Sequence, residues 1–361
     1  MNMERSMTMI GVDLFAGAGG LSLGARMAGI DVRLAVEKEP HAARTYAHNH
    51  LGTDVLVEDV KNIEKINVEK RGKTSILFGG PPCQGFSTSN QRTRNSGNEI
   101  NWMFTEYIRL IRQWKPDWVV FENVKGIIET EKGIFRDEIL HELEASGYTC
   151  TSGILCAADF GVPQIRWRFF IIGSRHGVSV RFPTKTIEKH VTVYEAIGDL
   201  PGLPNGADHH FRPYRRDAHS VYARSMRNGN NGCTNHYVTR NASHIIQRYK
   251  YIPQGGNWEN IPASLMSNYT ERRRCHTGIY RRLRADRPSV VIGNYRKNML
   301  IHPDEDRGLS VREAARLQSF PDNYEFLGSI GFQQQQAVSV VPPPFSTKNF
   351  RNNIKRKLRR K

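Results

Sequence analysis

From Met9 to about Ser174, short apolar runs alternate with segments of helical spacing, and nothing else in the 361-residue chain limits its fold as strongly. Strands are expected at Met9 to Phe15, Val32 to Glu37, Asp54 to Val57, Ser75 to Phe78, Trp118 to Glu122 and Phe169 to Gly173. Helices are expected at Leu21 to Ala28, His41 to His50, Met103 to Trp114 and Phe135 to Ser146. Such alternation returns the chain through a helix after each buried strand. It makes an α/β fold with a doubly wound, mostly parallel sheet. Ligands of these sheets bind beyond the carboxyl ends of the strands, so the residues that follow each strand are where chemistry is sought.

From about Arg181 to Gly293 the periodicity degrades, and Gly, Pro, Asn, His and Arg accumulate, as in NGNNGCTNH and YIPQGGNWEN. This reads as a second, smaller, loop-rich and basic domain. Regular spacing resumes in SVREAARLQSF, Ser310 to Phe320, where Ser310 is placed to cap a helix with Glu313 in a capping box. The expected organisation is a first domain over 1–180, a second over 181–293, a return to the first over 294–347 and a basic tail over 348–361.

Lys and Arg outnumber Asp and Glu by 52 to 35, a formal charge of +17, which favours a polyanionic partner. Eight of those cations lie between Lys348 and Lys361 with no acid among them, and the rest of the chain still carries +9. No apolar run approaches the ~18 residues that cross a bilayer, so a cytoplasmic protein without a membrane partner is expected. The five cysteines, Cys83, Cys150, Cys156, Cys233 and Cys275, are too scattered for a disulfide framework and form no CxxC pair, so no metal is expected.

The first strand runs into DLFAGAGGLSLG, Asp13 to Gly24, where Gly17, Gly19 and Gly20 let backbone approach a ligand. The second ends in Glu37, the place for an acid that holds a ribose hydroxyl pair. Together they suggest a nucleoside-containing cofactor, although a glycine turn alone is also compatible with a tight strand-to-helix connection, and its spacing departs from GxGxxG. Asp59, after the third strand, can accept from an adenine amino group or simply cap a turn. The fourth strand ends in GGPPCQGFS, which presents Cys83 on a Gly- and Pro-rich loop, and the fifth ends in Glu122 and Asn123. Neighbouring strands would place Cys83 and Glu122 on one crevice, and a thiolate with a carboxylic acid beside a cofactor suggests covalent catalysis. Glu122 taken alone is also compatible with a structural acid.

In order and spacing, DLFAGAGGLSLG, GGPPCQGFS, ENV at Glu122 to Val124, QIRWR at Gln164 to Arg168 and REAARLQSFPD at Arg312 to Asp322 resemble the DNA cytosine-5 methyltransferases of bacterial restriction-modification type. The similarity covers Ile10 to about Ser174 and about Arg281 to Gln336, leaving between them the segment that recognises the DNA target in that family. The resemblance implies S-adenosylmethionine as cofactor, a mixed sheet with helices on both faces, and a target-recognition domain. Phe15, Gly17, Gly19, Gly20 and Pro82 would line the cofactor site, with Glu37 on the ribose and Asp59 on the adenine. Cys83 would be the nucleophile, Glu122 its partner at ring nitrogen 3, and Arg168 with Arg166 would contact the base or hold the loop. Double-stranded DNA is the implied partner, met by a cytosine turned out of the stack. Its expected contacts are Gln84, Ser87, Arg92 and Arg94 of the loop after Cys83, Gln164, and Arg240, Arg272 and Arg273 of the middle domain. For any one of these arginines a solvated surface is the alternative. A cognate restriction endonuclease would share the recognition site, and the chain is expected to act as a monomer.

The resemblance fails in one place. Where the family has Gly-Asn ahead of Val and Pro on the methionine side of the cofactor pocket, this chain reads QQQQAVSVVPPPF, with Val338 and Ser339 in those positions. Three other readings remain: a nicotinamide-dependent dehydrogenase, from the glycine turn and Glu37; a transfer RNA methyltransferase, the activity of a close relative of the family; and, from the altered motif, a DNA-binding remnant with impaired cofactor binding. The dehydrogenase leaves GGPPCQGFS, ENV and QIRWR without a role.

Overall fold

The computed structural model describes residues 9–82, 102–214, 216–267, 278–295 and 299–338. They divide into two compact units, the first built from residues 9–160 and Trp167–Thr186, the second from Gly161–Arg166 and residues 187–338.

The first unit is organised by a sheet with the order β3-β2-β1-β4-β5-β7-β6. Its strands are β1 (Met9–Leu14), β2 (Ile30–Val36), β3 (Asp54–Leu56), β4 (Thr74–Gly79), β5 (Trp118–Val124), β6 (Thr149–Cys156) and β7 (Trp167–Ser174). The five strands from β3 to β5 pair in parallel, and β7 runs antiparallel to both β5 and β6. Connecting helices are α1 (Gly20–Met27), α2 (Pro40–Asn49), α3 (Phe104–Trp114) and α4 (Ile134–Ala145). Alternation sorts the faces. Val12 and Leu14 of β1 join Leu77, Val119, Phe121 and the buried sides of α3 and α4 in one apolar cluster. Asp13, between them, turns the other way and meets Ser22 of α1.

Each expected strand and helix of this unit is present within a residue or two at either end. The exception is β6, which the apolar pattern did not mark. TCTSGILC is a sheet edge with mostly half-buried side chains, and Gly153 makes room for the Phe182 ring, which a Cβ there would meet at 3.0 Å. Burial of one strand face by an aromatic from elsewhere leaves no periodic trace in the strand itself.

The second unit holds α5 (Val193–Ile197), α6 (Val221–Arg227), α7 (Ser243–Tyr249), α8 (Val311–Arg316) and α9 (Ile330–Gln336), with a short ribbon of β8 (Arg212–Pro213) and β9 (Gly232–Cys233). The stretch 294–338 is part of this unit. Ser310 caps α8 in a full capping box with Glu313, as its spacing predicts, but the helix ends at Arg316 rather than running to Phe320. The chain turns there, and Ser319 takes a left-handed φ of 62°.

Around α8 the charges are buried and closed upon one another. Arg316 reaches Asp199 and Asp322 at 2.5 Å each, with all three side chains fully buried. Arg307 binds Glu313 at 2.7 Å, Tyr214 donates to Asp322, and Arg312 donates to the carbonyls of Thr234, Pro321 and Tyr324. The arginines of REAARLQSFPD therefore act as internal ties.

Candidate active site

The carboxyl ends of β1 and β2 build the first half of the site. After Leu14 the backbone enters left-handed conformations at Phe15 (φ 58°), Gly17 (56°) and Gly19 (89°), and α1 starts at Gly20. Glycine tolerates this without a Cβ clash, whereas Phe15 is a non-glycine residue held there by its surroundings. No side chain caps α1, so its first N–H groups lie at the turn. Glu37 closes the other side. Its Oε2 accepts from the Gly17 N–H and its Oε1 from the Glu39 N–H, both at 2.8 Å. Asp59 accepts from Lys61 N at 3.1 Å, capping a short turn, with the Lys38 ammonium 3.6 Å from its other oxygen.

The ends of β4 and β5 build the second half. Gly79 lies across from Leu14, where a Cβ would come to 2.2 Å from the Leu14 carbonyl oxygen. At Gly80 a Cβ would stand 2.7 Å from the Glu122 Oε2, so the missing side chain is what lets the carboxylate lie under this backbone. Glu122 is paired with Arg168 of β7, Nε to Oε1 at 2.9 Å, and each side chain keeps about 10% of its surface exposed. Arg168 also donates through Nη1 to the Trp167 carbonyl at 2.8 Å. Asn123 donates to the Pro81 carbonyl at 3.3 Å, tying the end of β5 to the segment that leads into Cys83.

Phe15, Gly17, Gly19, Gly20, Glu37, Asp59 and Pro82 thus fall at the carboxyl ends of β1 to β4, and Glu122 and Arg168 at adjoining strand ends. Cys83, Gln84, Ser87, Arg92, Arg94, Arg272, Arg273 and Ser339 lie outside the described residues. In the second unit Arg166 is buried, donating to the Gln164 side chain and the Val338 carbonyl at 3.4 Å each. Gln164, expected at the DNA, is fully buried with its amide 3.5 Å from the Leu317 carbonyl. Arg240 is exposed. Arg248 and Tyr249, in the basic stretch 181–293, are buried, and Arg248 donates to the Leu265 carbonyl and the Tyr280 hydroxyl. Val338 packs with Val193, Ile197, Leu283 and Leu317 in an apolar cluster of this unit.

Sequence reading passed over Asp13. It is buried, its Oδ2 accepts from Ser22, and its Oδ1 has no partner among the described residues. Burial pushes its carboxyl up to about 8. A single acid inside the apolar run MIGVDLF was the available signal. The donor set suits a nucleoside cofactor bearing positive charge: Glu37 offers two acceptor oxygens to vicinal hydroxyls, the glycine turn offers N–H groups, and Asp13 supplies a buried carboxyl with an unused oxygen.

Residues 9–355 match the family described as C-5 cytosine-specific DNA methylase. The type II methyltransferase M1.HphI of Haemophilus parahaemolyticus is 35% identical over 342 residues, covering 93% of this chain and 84% of the relative. M.DdeI of Desulfomicrobium norvegicum is 32% identical over 362 residues, covering 92% and 85%. Among solved structures, a prophage-encoded E. coli protein described as a DNA modification methyltransferase superposes with a TM-score of 0.77 at 25% identity, over 96% of this chain and 99% of that one.

Proposed function

The chain belongs to the C-5 cytosine-specific DNA methylases and is a DNA (cytosine-5-)-methyltransferase of restriction-modification type; from that premise we propose how its residues divide the work on a duplex DNA target. The observation that carries the proposal is the Glu122–Arg168 pair lying under Gly80, three residues before Cys83.

Carbon 5 of cytosine is too electron-poor to attack an electrophile directly. Addition of the Cys83 thiolate to carbon 6 makes an enamine whose carbon 5 is nucleophilic. Glu122 hydrogen-bonds ring nitrogen 3 and favours its protonation, which offsets the negative charge pushed into the ring as sulfur adds. Arg168 keeps that carboxyl in one orientation, and Asn123 fixes the approach to Cys83 through the Pro81 carbonyl. Bound S-adenosylmethionine supplies the methyl group from its sulfonium. Phe15, Gly17, Gly19, Gly20 and Pro82 would line its site, while Glu37 would accept from the ribose hydroxyls and Asp59 from the adenine amino group. A base then removes the carbon 5 proton, and the thiolate leaves as the ring double bond re-forms.

The target cytosine is turned out of the duplex to reach Cys83. The loop after Cys83, with Gln84, Ser87, Arg92 and Arg94, and the middle segment, with Arg240, Arg272 and Arg273, contact the DNA. Arg166 supports the QIRWR segment from the second unit. We assign a cytoplasmic location, a monomeric enzyme and a cognate endonuclease sharing the site; among the described residues no helix is long and apolar enough to cross a membrane. Bisulfite sequencing of DNA from a host expressing the chain tests the proposal. Methylation at one short sequence motif is expected, lost with Cys83→Ser. Incorporation into transfer RNA but not duplex DNA would contradict it.

A further inference from the structure

Beneath the glycine turn a line of buried polar groups runs from β1 to α2. The Tyr46 hydroxyl donates to Ser22 Oγ, and Ser22 Oγ donates to Asp13 Oδ2, each at 2.6 Å. Asp13 Oδ1 has no hydrogen-bond partner among the described residues, in a side chain that is 1% exposed. A carboxylate there would be desolvated with half its acceptor capacity unused, a costly arrangement that a neutral carboxylic acid avoids.

The groups facing Asp13 do not change that balance. Glu37, at the end of β2, adds negative charge. From α1 come Ser22, whose hydroxyl steadies the ionised form, and Arg26, whose field falls on Tyr46 and His50. From α2 comes Tyr46, held protonated by burial, and just past its end His50, pushed down to about 4 by burial and therefore neutral. Tyr107 of α3 stays protonated, with its hydroxyl on the Val120 carbonyl, and the neighbouring strands pair Asp13 with the apolar Phe78 of β4 and Ala35 of β2. Among the described residues no cation compensates the Asp13 carboxyl.

We propose that Asp13 holds a proton while the cofactor site awaits its ligand and gives it up when the positive charge of the cofactor arrives, so that cofactor binding is coupled to proton release. The inference rests on the S-adenosylmethionine reading above. The proton passes to solvent, and the carboxylate left behind complements the cation without having to touch it. The cation is the sulfonium or the ammonium of the cofactor. If it is the sulfonium, methyl transfer removes that charge, Asp13 takes its proton back, and the hold on the product weakens. Asp13 is then a positioning residue whose charge follows the ligand.

Titration calorimetry of the full chain in phosphate and in Tris, whose ionisation heats differ, counts the protons. An opposite charge nearby lowers a carboxyl by roughly one to three pH units, so release of roughly half a proton or more per S-adenosylmethionine is expected between about pH 7 and 8. Affinity should rise by up to roughly tenfold per pH unit in the same range. Asp13→Asn should abolish the buffer dependence. Ser22→Ala keeps the carboxyl but loses the hydroxyl that steadies it, and should move maximal release to higher pH. Release with both S-adenosylmethionine and S-adenosylhomocysteine assigns the ammonium; release with the first alone assigns the sulfonium. Heats that agree in the two buffers, or release that survives Asp13→Asn, would overturn the inference. Absence of any binding heat would overturn the cofactor reading, and this inference with it.

Discussion

Two regions of the molecule use the same ingredients, arginine facing carboxylate, to opposite ends. Around α8, Arg316 sits between Asp199 and Asp322 with every side chain fully buried. At the ends of β5 and β7, Glu122 and Arg168 form a pair that keeps about 10% of each side chain in contact with solvent, under a glycine whose missing Cβ leaves the room. A closed set of charges specifies packing, because removing one member leaves the others buried and unpaired. A pair that stays in contact with solvent beneath a thin stretch of backbone can be reached by a substrate. Motif strength in the sequence is equal for the two, and only burial separates structure from chemistry.

That contrast breaks first at Glu122. Glu122→Gln should lower kcat by roughly 10² to 10⁴ with little change in melting temperature, since general acid catalysis of this kind contributes on that order; an unfolded variant would place Glu122 with the structural ties. Arg316→Met should behave in reverse. Breaking a buried pair typically costs about 3–5 kcal/mol, read by urea denaturation, and a stable variant would mean that the ties around α8 are dispensable. Gly80→Ala sharpens the comparison, because the new methyl pushes on the Glu122 carboxylate: a fall in kcat of up to roughly 10² with unchanged cofactor affinity is expected.

A graded effect comes from Asp13. Its carboxyl is raised from 3.8 to about 8 in the folded protein, so across that window the folded state holds a proton that the unfolded state has lost. Its contribution is therefore full below the unfolded value and declines as pH climbs toward about 8. Asp13→Asn should flatten the decline, measured as denaturation midpoints at pH 5 and pH 8. The smallest effect is Ser310→Ala, which removes the α8 cap at a cost of about 1 kcal/mol with activity retained.

Much of this arrangement is legible in residue order. Short apolar runs that end in Gly, Glu or Gly-Pro-Pro announce strand ends, and Glu37, Glu122 and the glycine turn lie where those runs stop. What escapes is whatever depends on a distant partner. The β6 strand is hidden because Phe182 covers its glycine. Gln164 and Arg248 look like surface polar residues until Leu317 and Tyr280 close over them. Val338 stands in the motif position expected of glycine, yet its side chain is absorbed by an apolar cluster around Leu317. Asp13 hides in plain view inside the best strand of the chain, because burial and an unused oxygen are properties of three dimensions.

The division between a tie and a reactive pair is tested most directly by trapping. The protein is mixed with S-adenosylmethionine and duplexes of randomised sequence in which 5-fluorocytosine replaces cytosine, and the products are digested and read by mass spectrometry. A methylated pyrimidine bonded to Cys83, formed far more slowly in Glu122→Gln and at the parent rate in Ser310→Ala, is the predicted result. An adduct on Cys150, Cys156, Cys233 or Cys275, or none at all from protein that binds both DNA and cofactor, would contradict it.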